Sequence, residues 1–182
     1  MGKRSESITP ELQDFIEKQH IFFVGTAMTE GRVNISPKGM DSLRVLGPNK
    51  VIWLNLTGSG NETATHLQES SRMTLMFCAF EGKPQILRLY GNAITLHSGD
   101  SRFQKLMKHF PDIPGKRQVF EMEVDLVQSS CGFAVPLMDF QADRTILRDW
   151  AEQKGEEGIR DYWQEKNTVS LDGHQTGIPK DH

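Results

Sequence analysis

Only two cysteines occur in 182 residues, Cys78 and Cys131, far apart and in no CxxC spacing. That excludes a disulfide framework and a cysteine zinc site, and it suits a reducing, cytoplasmic setting. Long apolar runs are missing as well. The most apolar stretch, 74–80, is only strand-length, so no membrane span is expected. The start, Met1-Gly2-Lys3-Arg4-Ser5-Glu6, lacks the apolar centre of a signal peptide, and Glu6 stands where myristoylation wants Ser or Thr. There is no basic excess: 21 Lys and Arg against 24 Asp and Glu give a net charge of -3, which argues against nucleic acid as the main partner. The six histidines form no HExxH, no HxH and no Cys/His cluster, so no metal is expected. No GxSxG elbow supplies a nucleophile either. No internal repeat or low-complexity linker divides the chain, which is long enough for one domain with a real core.

What is present reads mainly as strand. Thr9-Pro10-Glu11 gives an N-cap, an N1 proline and an acidic first turn, starting a helix with Leu12, Phe15 and Ile16 on one face. Residues 21–27 read as a buried strand turning at Thr29-Glu30-Gly31 into 32–36, with Pro37 expected to end that strand. A second hairpin joins 43–46 to 51–56, and a short helix follows from Thr63. Long strands are expected at 72–80 and 86–96, a helix behind Asp100, and a last strand at 118–127 with Glu121, Glu123 and Asp125 on its polar side. Two helices, 144–154 and 156–166, are separated by Gly155, and their tryptophans read as packing residues. After Asn167 the chain is polar and reads as a frayed arm. Six or seven closely spaced strands point to an antiparallel barrel rather than a parallel sheet.

The segment Leu54-Asn55-Leu56-Thr57-Gly58-Ser59-Gly60-Asn61-Glu62-Thr63 is the most informative. An apolar strand enters a turn with two glycines that opens a helix, gathering small side chains and free N–H groups where the helix dipole favours an anion such as phosphate. It is neither a Walker A loop nor a GxGxxG fingerprint, and a strand-to-helix turn capped by Asn or Thr is the alternative. Ser36-Pro37-Lys38-Gly39 sits at a strand end, where the lysine can meet a phosphate or an electron-rich ring, or else lie solvated. Arg44, Arg72 and Arg88 lie in or beside apolar strands and need carboxylate or anion partners. His66 reads as an exposed helix position. The loop Ser130-Cys131-Gly132-Phe133-Ala134-Val135-Pro136 reads as a barrel-closing turn with a buried thiol, or as a site element.

In this order, these pieces resemble the pyridoxamine 5'-phosphate oxidase-like family of FMN-binding split barrels. The resemblance runs from about Pro10 to Val127. It rests on Ser36-Pro37-Lys38-Gly39, Ser42-Leu43-Arg44-Val45-Leu46, Val51-Ile52-Trp53-Leu54-Asn55-Leu56, the turn and helix 58–67, and Leu87-Arg88-Leu89-Tyr90-Gly91. It implies a mainly β fold: a six- to seven-stranded antiparallel split barrel over 1–136, with a helical extension over 137–182 packed on the same domain or on a dimer partner. It further implies a homodimer with FMN at the interface. Lys38 and Ser36, with Pro37 and Gly39 beside them, would meet the flavin or its phosphate, and Asn55 would lie along the ring or ribityl chain. Ser59, Asn61, Glu62 and Thr63 would form the phosphate turn. Well-studied oxidases place Ser-Arg-Lys at that turn; Asn61-Glu62-Thr63 stands here instead, so Lys38 or Arg88 would supply the charge, with Lys38 expected on the ring side. Cys131 and Gly132 would reach the partner's flavin.

The chain lacks the Arg-Leu-x-Pro end that grips the vitamin's phosphate in the true oxidases and closes on Gly177-Ile178-Pro179-Lys180-Asp181-His182. The expected function is therefore an FMN-dependent oxidoreductase of an unknown small molecule, with no membrane or nucleic-acid partner. Its alternatives are a non-catalytic flavin binder, or a barrel using a deazaflavin or a haem ligated by His66, His97 or His174.

Overall fold

A computed structural model of the chain describes residues 2–179. Met1 and the final Lys180-Asp181-His182 lie outside the described residues. The elements in chain order are β1 (Lys3–Ser5), α1 (Pro10–Glu17), β2 (Phe22–Thr26), β3 (Asn34–Lys38), β4 (Leu43–Gly47), β5 (Lys50–Leu56), α2 (Glu62–Glu69), β6 (Arg72–Cys78), β7 (Ile86–Leu96), α3 (Ser101–Met107), β8 (Lys116–Ser130) and α4 (Ile146–Lys166). One antiparallel sheet runs in the order β3-β2-β6-β7-β8-β5-β4, with β1 added on β8. Its two ends, β3 and β4, do not pair with each other, so the sheet curls without closing and forms a split barrel. The eighth strand, β1, is three polar residues with no apolar alternation. Only its pairing with Val127, Gln128 and Ser129 makes it a strand.

The longest ladder, β7 on β8, joins strands connected through α3 and carries a bulge between Tyr90 and Gly91. A Cβ at Gly91 would collide with the carbonyl of Glu123, so close backbone approach requires glycine there. Alternate residues of both strands point inward. Trp53 stacks on Phe120 at 4.3 Å and meets Phe22 edge-on at 6.3 Å, anchoring the main core. A smaller cluster gathers Phe103 of α3 and Phe110 on Leu54 and Val119. Each such buried side chain contributes roughly 1.5–3 kcal/mol.

Five local expectations change. Pro37 does not end its strand; it lies inside β3 opposite Phe23, tolerated because β3 is an edge strand whose open side needs no N–H. His66 is buried, not exposed, and its Nδ1 lies 3.0 Å from Thr26 Oγ1, because α2 packs inward on β2. Cys131 is exposed, whereas Cys78 is the buried thiol. Glu121 is buried beneath Arg102 and Lys50, which neutralise it. The segment after Asn167 is not frayed: Asn167, Ser170, Thr176 and Ile178 are all buried. Gly155, at φ 68°, breaks α4 as expected, and Trp150 meets Tyr162 edge-on across the break at 5.1 Å.

Candidate functional site

Period-two alternation puts Asn34, Ser36 and Lys38 of β3 on one face, half-buried, and leaves Ile35 and Pro37 exposed on the other. That inner face looks across to Asn55 on β5, to the turn 58–61 and to the first turn of α2. These residues, with Arg117 of β8, enclose a cavity of about 210 Å³. The turn is shaped by its surroundings. Thr57 donates through both N–H and Oγ1 to Gly115 O, each at 2.8 Å. Thr65 N–H reaches back to Asn61 O at 3.2 Å to begin the helical ladder, so the N–H groups before it have no intrahelical partner.

Two cations and one carboxylate set the potential. Arg117 is only 4% exposed, and burial lowers its pKa to about 10, against the nearby charge of Glu62 and then the Tyr162 hydroxyl. It donates from Nη1 to Asn167 Oδ1 at 2.6 Å and from Nη2 to Gly60 O at 3.0 Å, while Nε is buried without a partner. The Lys38 ammonium is lowered to about 8, first by burial and then by Arg117, with Glu62 opposing. Its Nζ lies 3.5 Å from Asn55 Oδ1 and 5.3 Å from the centre of the Trp53 ring.

Unmet hydrogen-bonding capacity is concentrated here. Asn61 is 3% exposed, yet among the described residues neither its Oδ1 nor its Nδ2 has a partner, and it makes no cap bond to α2. Ser36 Oγ is also buried and unpaired. Such groups cost free energy unless something bonds them, on the order of 1–3 kcal/mol each. Donors without partners, free N–H groups and a net positive lining together suit a small dianion such as a phosphate monoester. Thr63 Oγ1 already accepts from Asn34 Nδ2 at 3.2 Å. Glu62 folds its carboxylate back over Gly60 of the turn, where Oε1 also accepts from Leu171 N–H at 3.3 Å, so it lines the cavity as its one anion among the described residues.

Of the residues proposed from sequence, the cavity brings together Ser36, Lys38, Asn55, Ser59, Asn61, Glu62 and Thr63. Pro37 faces away from it, and Gly39 lines a different cavity. Arg88 lies on β7, half-buried, donating to Ser130 Oγ at 3.4 Å, and does not enter the site within its own chain. Cys131 is exposed and Gly132 is buried against Gln85, both at the end of β8 away from this cavity. Arg117 and Asn34 also line the cavity and are not among the sequence candidates. A last strand of 118–127 stops one residue short of Arg117, which lies inside β8 and must find a buried partner there. Among the described residues, no histidine lines this cavity.

Comparison with known proteins agrees with this architecture. Residues 8–131 match the family model of pyridoxamine 5'-phosphate oxidase. A curated relative from Aspergillus flavus, the pyridoxamine 5'-phosphate oxidase family protein ustO, is 37% identical over 92% of this chain and 75% of its own length. Among solved structures, a putative pyridoxamine 5'-phosphate oxidase from Lactobacillus delbrueckii superposes with a TM-score of 0.53 at 17% identity, covering 68% of this chain and 94% of that one. The FAD binding protein from Mycobacterium smegmatis gives 0.50 at 11%, covering 69% and 97%. By sequence and by fold, the chain belongs to the pyridoxamine 5'-phosphate oxidase family.

Proposed function

We propose that this chain is an FMN-binding flavoprotein that works as an oxidoreductase on a small molecule. The observation that carries the reading is the cavity between β3, β5 and the start of α2. There, buried Arg117 and half-buried Lys38 face unpaired Asn61. Arg117, Asn61, Ser59 and Thr63 hold the phosphate. Lys38 and Asn55, beside Trp53, orient the ribityl chain and ring edge. FMN, when bound, supplies hydride or electron transfer, which fits a family fold with no nucleophilic triad. The name of the mycobacterial neighbour, an FAD binding protein, supports a flavin in this fold.

A cavity of about 210 Å³ is smaller than the ~300–1,000 Å³ typical of sites that enclose a whole ligand. It takes the phosphate end, and the ring lies against another surface. A second copy of the chain supplies that surface in this reading. The exposed Phe133, Leu137, Met138 and Phe140, following the exposed Cys131, favour a homodimer in which this loop reaches the partner's flavin. On this reading residues 1–136 carry the cofactor, the loop through Phe140 reaches the partner, and α4 with Asn167 packs on its own barrel.

The test is the spectrum and FMN titration of the purified chain. Flavin bands, or saturable quenching of added FMN, support the reading. A protein that stays colourless and does not bind FMN overturns it, and a Soret band replaces it with haem. Sedimentation at micromolar concentration should give a dimer, and a 20.6 kDa species with FMN bound would overturn the dimer.

A further inference from the structure

Asn167 closes the last turn of α4, donating its N–H to Trp163 O at 2.8 Å, and it is 0% exposed. Its single amide reaches both halves of the candidate site. Nδ2 donates to Gly58 O at 3.0 Å and to Ser59 O at 3.3 Å, while Oδ1 accepts from Arg117 Nη1 at 2.6 Å. Its carbonyl accepts from the buried Thr176 hydroxyl, so the residue is held from both sides. One turn earlier, Trp163 Nε1 donates to Thr57 Oγ1 at 2.8 Å, fixing the entry to the same turn.

A primary amide is the group this position needs. It alone among short side chains gives two donors to backbone carbonyls and one acceptor to a guanidinium. With Nη1 bonded to Asn167 and Nη2 to Gly60 O, two of the five guanidinium N–H donors are fixed and the arginine is held in place; Nε–H and one N–H on each Nη are left over. Holding a long cation and a glycine-rich turn in one arrangement before the ligand arrives removes ordering cost from binding.

We propose that Asn167 is a positioning residue for the phosphate end of the ligand: it aims Arg117 and clamps the turn 58–60 from behind. The proposal rests on the flavin reading for its choice of ligand but not for the clamp itself.

The experiment uses the full chain as wild type, Asn167→Ala, Asn167→Asp and Thr176→Val. Each is titrated with FMN and with riboflavin, and amide exchange is followed over residues 58–61 without flavin. Asn167→Ala should weaken FMN about ten- to thirtyfold, the scale of a lost or misaimed hydrogen bond to a charged group, and riboflavin by less than about threefold. Asn167→Asp keeps the acceptor for Arg117 but sets a carboxylate against two carbonyls, so it should fall between and still fold if the alanine variant does not. Thr176→Val should lower the melting temperature without separating FMN from riboflavin. Equal losses for both flavins, or unchanged FMN affinity in folded Asn167→Ala or Asn167→Asp, would overturn the positioning role. If wild type binds neither flavin, the flavin reading fails. The clamp is then judged by exchange: faster exchange at 58–61 in the Asn167 variants supports it, and unchanged exchange overturns it.

Discussion

Two cavities on this barrel teach opposite lessons about where function sits. The larger, about 350 Å³, lies between α1 and β4 and includes His20, Asp41 and Arg44. Its polar groups are spoken for: Arg44 forks onto the Asp41 carboxylate at 2.7 and 2.8 Å and donates to His109 O, Ser42 Oγ donates to Gly39 O, and His20 stacks on Phe140 at 3.6 Å. The smaller, about 210 Å³, holds a buried arginine with an unpartnered Nε and an asparagine whose side chain has no partner among the described residues. Volume favours the first, while unmet bonding capacity and unneutralised charge favour the second. The second criterion is the physical one, because a buried group left without a partner is stabilised when a ligand arrives.

The sharpest way to break this comparison is to remove the buried cation. Arg117→Ala should weaken FMN by between roughly thirtyfold and three orders of magnitude, the cost of losing a buried charged partner, and leave riboflavin nearly unchanged. Parallel losses in the two titrations would mean that Arg117 does not serve the phosphate.

Next in size are the turn residues. Thr63→Ala and Asn61→Ala should each cost roughly 1.5–3 kcal/mol, or one to two decades in FMN affinity. If both leave the titration where it was, the turn is only a strand-to-helix connection.

Lys38 sharpens the comparison through pH. Its pKa lies near 8, depressed by burial and by Arg117. FMN affinity should be level below pH 8 and weaken above it as the ammonium is lost, by at most about tenfold per pH unit. For folding the sign is opposite. The unfolded chain, at the usual 10.5, binds more protons than the folded one between pH 8 and 10.5, so stability rises across that window. Lys38→Met should flatten both profiles. Lys38→Ala should weaken FMN and riboflavin alike if the lysine faces the ring, and FMN alone if it faces the phosphate.

The smallest effect belongs to the other cavity. Arg44→Ala removes the fork of a half-buried arginine onto exposed Asp41 together with its bond to His109 O, which costs stability but should leave FMN affinity within about twofold. A tenfold loss would reverse the assignment of the two cavities.

Much of the barrel and the turn could be read from the sequence because both rest on local chemistry. Alternation in Arg32, Val33, Asn34, Ile35 and Ser36 marks a two-faced strand, and paired glycines before Asn61 mark a strand-to-helix turn. What could not be read depends on distant partners. Asn167 and Thr176 are polar, and polarity alone does not say whether water or a buried carbonyl takes the hydrogen bond. Arg117 opens a strand whose length is set by pairing with β5 and β7, not by its own residues. Pro37 shows the converse: it looks like a stop, and only the sheet order shows that its strand lies at an edge.

The family match ends at residue 131, and Asn167 lies beyond it. The barrel supplies the arginine and the turn, but the residue proposed to steady them is fastened to the segment beyond the matched region. A chain could therefore keep every barrel position and still differ in how firmly the turn is held. A shortened chain trimmed to the matched region would lose its grip before it lost its shape.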